Sequence, residues 1–293
     1  MVSIWYIKFL GVEVMANNGK YLGYKTITTD EDLIWEAIYS ESTKNIFDCL
    51  ENEYVYIVSP STENYDILKW ADGKYKKLAY KTINNNFVDK IKPRNIQQQM
   101  AFDLLQSKTE TIKVITGRFG SGKTFLMVAN ALQAIHDNKF EKIVWVRNNV
   151  GVKDTKDIGA LPGNTIDKIF PYVMPLADHV GGVDGIEMLM RQGKLEVQHL
   201  GFIRGRDIKN SIILCSEAEN LTKQHVQLLI GRVGEGSSLW LDGDFKQVDS
   251  KIFEENSGLN IAIDKLKGNK LFGFVHLEKS ERSETAALAD LLD

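Results

Sequence analysis

The spacing of apolar and polar positions changes character near residue 90 of this 293-residue chain. Before that point the signals are short and mostly β. "YVYIVSP" (54–60) reads as a strand ended by Pro60. "YDILKWADGKYKKLAY" (65–80) alternates on both sides of Asp72-Gly73, which predicts a hairpin with a tight turn. Residues 30–50 carry an apolar stripe at helical spacing after an acidic start. The opening "MVSIWYIKFLGVEVMA" reads as a strand. It lacks a basic start, and Lys8 and Glu13 interrupt its apolar run, which argues against a secretory leader. The expectation is a small N-terminal α+β module over residues 1–90 that carries no catalytic signal. A polar stretch, "KTINNNFVDKIKPRN" (81–95), reads as the linker behind it.

From residue 91 to 293 strands and helices alternate. A helix over 96–106 precedes the strand "IKVIT" (112–116), a glycine loop and a helix to about His136. Further strands are expected at 142–147, 195–200, 211–215, 239–243 and 271–277, most of them separated by helical segments. Short β-rich runs joined by helices predict an α/β fold, a mostly parallel sheet covered on both faces.

Composition narrows the class without naming a function. With 43% hydrophobic and 26% charged residues the chain is of globular type. The two cysteines, Cys49 and Cys215, share no metal-ligand spacing and read as packed thiols in a reducing compartment. No run of about 18 apolar residues occurs, so no membrane span and a cytoplasmic location are expected. A net charge of −3 excludes a global basic field for nucleic acid and leaves only a local patch.

The candidate chemistry begins at "GRFGSGKT" (117–124), a match to the phosphate-binding loop G-x-x-x-x-G-K-[ST]. In such a loop the backbone N–H groups of Gly117, Arg118, Phe119, Gly120, Ser121 and Gly122 cradle phosphates. Lys123 reaches the β and γ oxygens, and Thr124 holds Mg²⁺. A strand before the loop and a helix after it are the context this reading requires, so a nucleoside triphosphate is the expected ligand. In "SIILCSEAEN" (211–220) a buried strand runs into Ser216-Glu217, where a nucleotide-hydrolysing enzyme would carry two acids. Upstream, Gln97, Gln98 and Gln99 are either a polar helix face or a carboxamide able to pair with a base edge.

From about Pro93 onward these residues resemble the PhoH family of ATPases, relatives of the single-motor half of superfamily-one helicases. The matching pieces are "PRNIQQQMAFDLL", "GRFGSGKT", "LPGNTIDKIFPYVMPLAD", "FIRGRDIKNSIILCSEAEN", "GDFKQVD" and "ERSETAALADLL", in that order. The resemblance implies a RecA-like P-loop fold, ATP with Mg²⁺ as cofactors, and Gln98 as the adenine reader. It makes Glu217 the residue that orients the attacking water, with Asp244 and Gln247 sensing the γ-phosphate or positioning that water. It further implies single-stranded RNA or DNA as partner and a homo-oligomer, a hexameric ring. Arg204, Arg206 and Arg282 then become candidates for a charge-stabilising finger from a neighbouring subunit or for nucleic-acid contacts. Residues 1–90 resemble the stretch that joins a nuclease domain to the ATPase in longer relatives, without acidic residues for a nuclease, so no nuclease activity is expected.

Three positions depart from the family pattern: Ser216 for the Walker-B aspartate, Glu219 for a glutamine, and Asn148 for the proline after Arg147. The metal site at Thr124 and Ser216 is therefore expected to be weakened by one carboxylate. A slow ATPase follows from this, or a binding module that ATP occupancy orders with little hydrolysis.

Overall fold

The computed structural model describes residues 13–15, 20–40, 42–85, 87–88, 90–147, 173–245 and 257–281. Its first sheet holds five strands in sequential order: β1 (Glu13–Met15), β2 (Tyr24–Thr28), β3 (Glu53–Val58), β4 (Tyr65–Ala71) and β5 (Lys74–Lys77). β2 and β3 are parallel, with helix α1 (Asp32–Ser40) in the crossover, and every other pair is antiparallel. The expected hairpin is β4–β5. Asp72 and Gly73 both have positive φ, 52° and 72°, the backbone that matches a two-residue turn to strand twist. Ile34 and Ile38 of α1 pack with Ile27, Val55, Ile57, Leu68 and Trp70 of the sheet. β2 was not anticipated, because "YKTIT" interleaves three polar residues with two hydrophobic ones and gives little alternation.

The second sheet is all parallel: β6 (Ile112–Gly117), β7 (Lys142–Arg147), β8 (Leu195–His199), β9 (Ser211–Cys215), β10 (Ser238–Gly243) and β11 (Phe272–Leu277). Its spatial order is β11-β6-β10-β9-β7-β8. The pleat divides each strand between two cores. Ile115, Trp145, Leu214, Trp240 and Val275 pack with helices α2 (Ile96–Gln106), α3 (Lys123–His136) and α4 (Gly182–Arg191). Val114, Val144, Ile213, Leu241 and Phe274 pack with α5 (Lys223–Ile230) and α6 (Gly258–Leu266). This is the predicted α/β architecture: a RecA-like P-loop fold beside a small N-terminal sheet.

The polar stretch 81–95 is not a free linker. Ile83 is fully buried and bridges Ile91, and Gln106 and Gln133 of α2 and α3 bond the backbone at Lys81 and Asn84. The first sheet is also fastened to the second. Asp103 of α2 accepts from Tyr54 Oη (2.8 Å) and from the Ala79 N–H (2.7 Å). Lys69 Nζ pairs with Glu110, with Asp103 3.6 Å away, and all three side chains are buried. Along β11, His276 N–H donates to Leu22 O at 3.0 Å. Gly23, at φ 82°, passes so close that a Cβ would stand 1.9 Å from Phe274 O.

Asn52 closes this junction. It is 3% exposed, and its Nδ2 donates to the carbonyls of Asn269 (3.3 Å), Lys270 (2.9 Å) and Phe272 (3.0 Å). Its left-handed φ of 66° also suits asparagine better than most residues. Asn52→Ala leaves buried carbonyls without a donor and should lower unfolding stability by about 1–3 kcal/mol. Urea denaturation measures it, and an unchanged midpoint would show that the amide does not fasten the two sheets.

Candidate functional site

β6 ends at Gly117 and the chain turns through the phosphate-loop sequence into α3, whose first residues are Lys123 and Thr124. The loop needs its glycines. A Cβ on Gly117 would lie 2.5 Å from Leu277 O and 2.8 Å from Ser121 Oγ, and Gly120 and Gly122 have φ of 73° and 88°. Gly122 caps α3 with no side-chain bond, so the free N–H groups and the positive end of a 14-residue helix open at the loop. Lys123 Nζ donates to Arg118 O (3.1 Å), Ser121 N–H also donates to that carbonyl (3.2 Å), and Arg118 itself is exposed. Two neighbours brace the loop from outside. Glu281 N–H donates to Gly120 O at 3.0 Å, and Glu281 Oε1 accepts from Asn95. Gln98 is buried, with Oε1 accepting from Arg94 N–H (2.9 Å) and Nε2 3.5 Å from Ser121 O. Its carboxamide thus joins the entry of α2 to the loop.

Opposite the loop the carboxyl ends of β9 and β10 supply acids. A cavity of about 310 Å³ lies between Phe119, Lys123 and Thr124 on one side and His179, Glu217, Glu219 and Asp242 on the other. Glu217 follows β9 in the left-handed region (φ 56°), and its half-exposed carboxylate pairs with Arg147 at the end of β7. Such a φ at a residue with a side chain costs about 1–3 kcal/mol and is typical of functional sites. Glu219 is buried in the following turn, where Oε2 accepts from Asp244 N–H at 3.1 Å. Burial, aided by the Asp242 charge, raises the Glu219 carboxyl to about 8. Gly243 makes room for it, since a Cβ there would come within 2.8 Å of Glu219 Oε2.

Asp242 was not among the residues singled out from the sequence. It is 1% exposed, accepts a hydrogen bond from the Thr124 hydroxyl through Oδ2, and leaves Oδ1 without a partner among the described residues. Burial raises it to about 6, opposed by the Thr124 hydroxyl and the Lys123 charge. The available signal was a single acid near the carboxyl end of the apolar run "SLWLDG", where ligands gather in open α/β sheets. Ser216, at the end of β9, is also buried, and its Oγ has no partner among the described residues.

The remaining candidates are spread out. Asp244 is buried just after β10. Arg206 Nη1 is 2.5 Å from Glu196, which Lys142 also contacts at 2.5 Å, and Arg204 is exposed in a nearby turn. Gln247, Arg282, Asn148 and the stretch 161–172 lie outside the described residues. Among the described residues no three His, Cys, Asp or Glu side chains form a self-sufficient metal cluster, and no helix is long and apolar enough to cross a membrane.

The Glu219 environment has a measurable consequence. The stability tied to the neutral acid is intact below its ordinary value of 4.5 and is lost as pH rises through about 8. Each unit of displacement is worth about 1.4 kcal/mol. Glu219→Gln keeps the shape and an acceptor for Asp244 N–H but cannot ionise. Its melting temperature, relative to that of the parent protein, should therefore climb between about pH 5 and pH 8 and level off above, without nucleotide or metal. Parallel curves across that range would show that Glu219 is already ionised.

Comparison with known proteins identifies the family of the chain. The family described as "PhoH-like protein" matches residues 90–290. Protein PhoH2 of Bacillus subtilis (strain 168) is 33% identical over 301 residues, covering 97% of this chain and 67% of its own length. Protein PhoH2 of Mycolicibacterium smegmatis is 31% identical over 201 residues, 68% of this chain and 46% of its own. The PhoH-like protein of Bacillus subtilis is 26% identical over 246 residues, 83% of this chain and 74% of its own. The chain thus spans about half to two-thirds of the length of the PhoH2 proteins it matches. On the family match and the PhoH2 likeness along nearly its whole length, the chain belongs to the PhoH family.

Proposed function

We propose that this chain binds ATP with Mg²⁺ at the phosphate loop, hydrolyses it slowly, and couples turnover to RNA or another nucleic acid as a ring-forming motor. The observation that carries the reading is the phosphate loop at the head of α3 facing Glu217, Glu219 and Asp242 across one cavity. The free N–H groups of the loop would receive phosphate oxygens, and Lys123 would leave the Arg118 carbonyl for them. The site fits a divalent ion arriving with those phosphates. Mg²⁺ takes hard oxygens from one or two side chains plus substrate phosphate, and Ser121 Oγ, Ser216 Oγ and Asp242 Oδ1 are buried oxygens without partners. When bound, Mg²⁺ supplies charge neutralisation at the β and γ oxygens. Glu217 then orients water for attack, and Asp244 and Gln247 take the roles of sensing the γ-phosphate or positioning that water.

A finger arginine is commonly worth about 10³–10⁵ in rate, and a neighbouring subunit is favoured as its source over an arginine folded back in cis or none at all. A closed head-to-tail ring, a hexamer by family resemblance, would place it. Arg282 and Arg204 are the stronger candidates, because Glu196 already engages Arg206.

A second reading is a nucleotide-gated module that binds ATP with little hydrolysis. It is favoured by the Arg147–Glu217 pair, which occupies the water-orienting carboxylate.

Lys123→Ala should weaken ATP binding about 10- to 100-fold, as loss of a charge-assisted bond implies. Isothermal titration measures this, and unchanged affinity would sink the phosphate-loop reading. Single-turnover phosphate release, with and without single-stranded RNA or DNA, separates the two functions. A motor shows release that nucleic acid stimulates and that Glu217→Gln cuts by about 10²-fold or more. Tight ATP binding without release supports the module. Mixing Lys123→Ala with Arg282→Ala, or with Arg204→Ala, should restore turnover if the arginine acts in trans. Turnover per chain that is independent of concentration in a monomer would exclude a shared site.

A further inference from the structure

We infer that the metal-holding carboxylate of this nucleotide site has moved one strand sideways, from the end of β9 to Asp242 on β10. The inference rests on the reading of the cavity as an ATP·Mg²⁺ site. P-loop enzymes hold the ion with the loop Ser or Thr and one strand-end aspartate. At the end of β9 this chain has Ser216, which carries no charge.

Four observations place the missing carboxylate at 242. β9 and β10 are adjacent and parallel, with Leu241 paired to Cys215, so one further step along the ladder sets Asp242 beside Ser216. The pleat puts both on the face that carries α3, because Trp240 and Leu214, two residues back, belong to that core. Asp242 lines the cavity, whereas Ser216 does not. Finally, the Asp242 carboxylate already holds the Thr124 hydroxyl, the other expected ligand, through Oδ2. Its second oxygen, Oδ1, is buried and has no hydrogen-bond partner among the described residues.

An unpaired carboxylate oxygen in so enclosed a place is costly unless a cation or donor reaches it. A hydroxyl and a carboxylate oriented together toward the phosphate loop form a partial coordination shell for a cation that brings its remaining ligands as phosphate oxygens and water. Ser216 keeps the neighbouring position polar, able to accept from an ion-bound water, without a second negative charge beside Asp242. The site would then retain one aspartate, and the serine would not be a loss of function.

Mn²⁺ binding to the protein with a non-hydrolysable ATP analogue tests this, with free Mn²⁺ followed by electron paramagnetic resonance. Asp242→Asn should weaken Mn²⁺ about ten-fold or more, and Ser216→Ala should cost less than that. Asn is isosteric and removes a buried charge, so the variant should melt at or above the parent temperature without ligands and gain less on adding Mn²⁺ and analogue. Should Asp242→Asn not fold, Asp242→Ser serves the same comparison. Parent-like Mn²⁺ affinity in the Asp242 variant overturns the inference, as does a larger loss in Ser216→Ala. Binding of a fluorescent ATP analogue to the parent protein separates the two levels. If the parent binds no nucleotide, the site reading fails and this inference with it. If it binds and the Asp242 variant keeps its Mn²⁺, only the transfer between strands fails.

Discussion

Burying a parallel sheet on both faces leaves charged side chains only the strand ends, and most of this molecule follows from that constraint. Along β6, β9 and β10 the interior positions are apolar and almost wholly buried, apart from Lys113. Because all six strands run the same way, every carboxyl end opens toward the phosphate loop. Glu217, Glu219 and Asp242 gather there around Lys123. Their mutual repulsion and poor solvation favour anything that adds positive charge or protons. Glu219 meets this by retaining a proton, Glu217 by pairing with Arg147, and Asp242 by taking the Thr124 hydroxyl.

The opposite end of the same strands shows the reverse arrangement. Lys113 is fully enclosed near the start of β6, its ammonium donating to Leu105 O (2.9 Å) and Ser107 O (2.6 Å). Burial lowers it to about 7. Glu110 stands close by and is taken by Lys69 of the first sheet, whose β3 also supplies Tyr54 to Asp103. The small N-terminal sheet therefore neutralises acids that α2 and its following turn would otherwise bury alone. Removing one member leaves its partner charged and dry, the expensive case for buried pairs. The first sheet is thus part of the electrostatics of the nucleotide fold, and its residues along β11 end within reach of the strand that supports Gly117.

Much of the main fold was legible because each element has its own period and its own punctuation. Helix 96–106 is reproduced, the six parallel strands fall within a residue of their expected starts and ends, and the Asp72-Gly73 turn has the backbone its residues require. Where the period was weak, reading failed. Tyr24–Thr28 is a strand because β3 pairs with it, a non-local fact that five residues cannot announce. Residues 81–95 look like a linker because they are polar, yet their backbone at Lys81 and Asn84 bonds Gln106 and Gln133, and among the described residues of the stretch Ile83 alone is buried. The phosphate loop was visible as a contiguous motif. Asp242 was not, since its significance comes from a neighbouring strand and from Thr124, 118 positions away in sequence.

The site as built is held by contacts that its own ligand must replace. Lys123 caps the Arg118 carbonyl, Glu217 is paired with Arg147, and Thr124 is bonded to Asp242. The Thr124–Asp242 bond is partly buried, so it is worth more than in water and resists rearrangement, whereas the other two are exposed. Triphosphate offers Lys123 a stronger acceptor than a carbonyl, because a charged oxygen roughly doubles the strength of such a bond. The metal that travels with it would offer the Thr124 and Asp242 oxygens a shared partner. Arg147, however, is not among the residues that line the cavity, so a ligand there meets the Glu217 carboxylate and not the guanidinium that holds it. Binding can therefore reorganise the loop and the β10 end on ligand chemistry alone, while freeing Glu217 requires another group to take Arg147. On the proposed function, that asymmetry would let occupancy and hydrolysis be governed separately, the first by the nucleotide and the second by whatever anion reaches the end of β7.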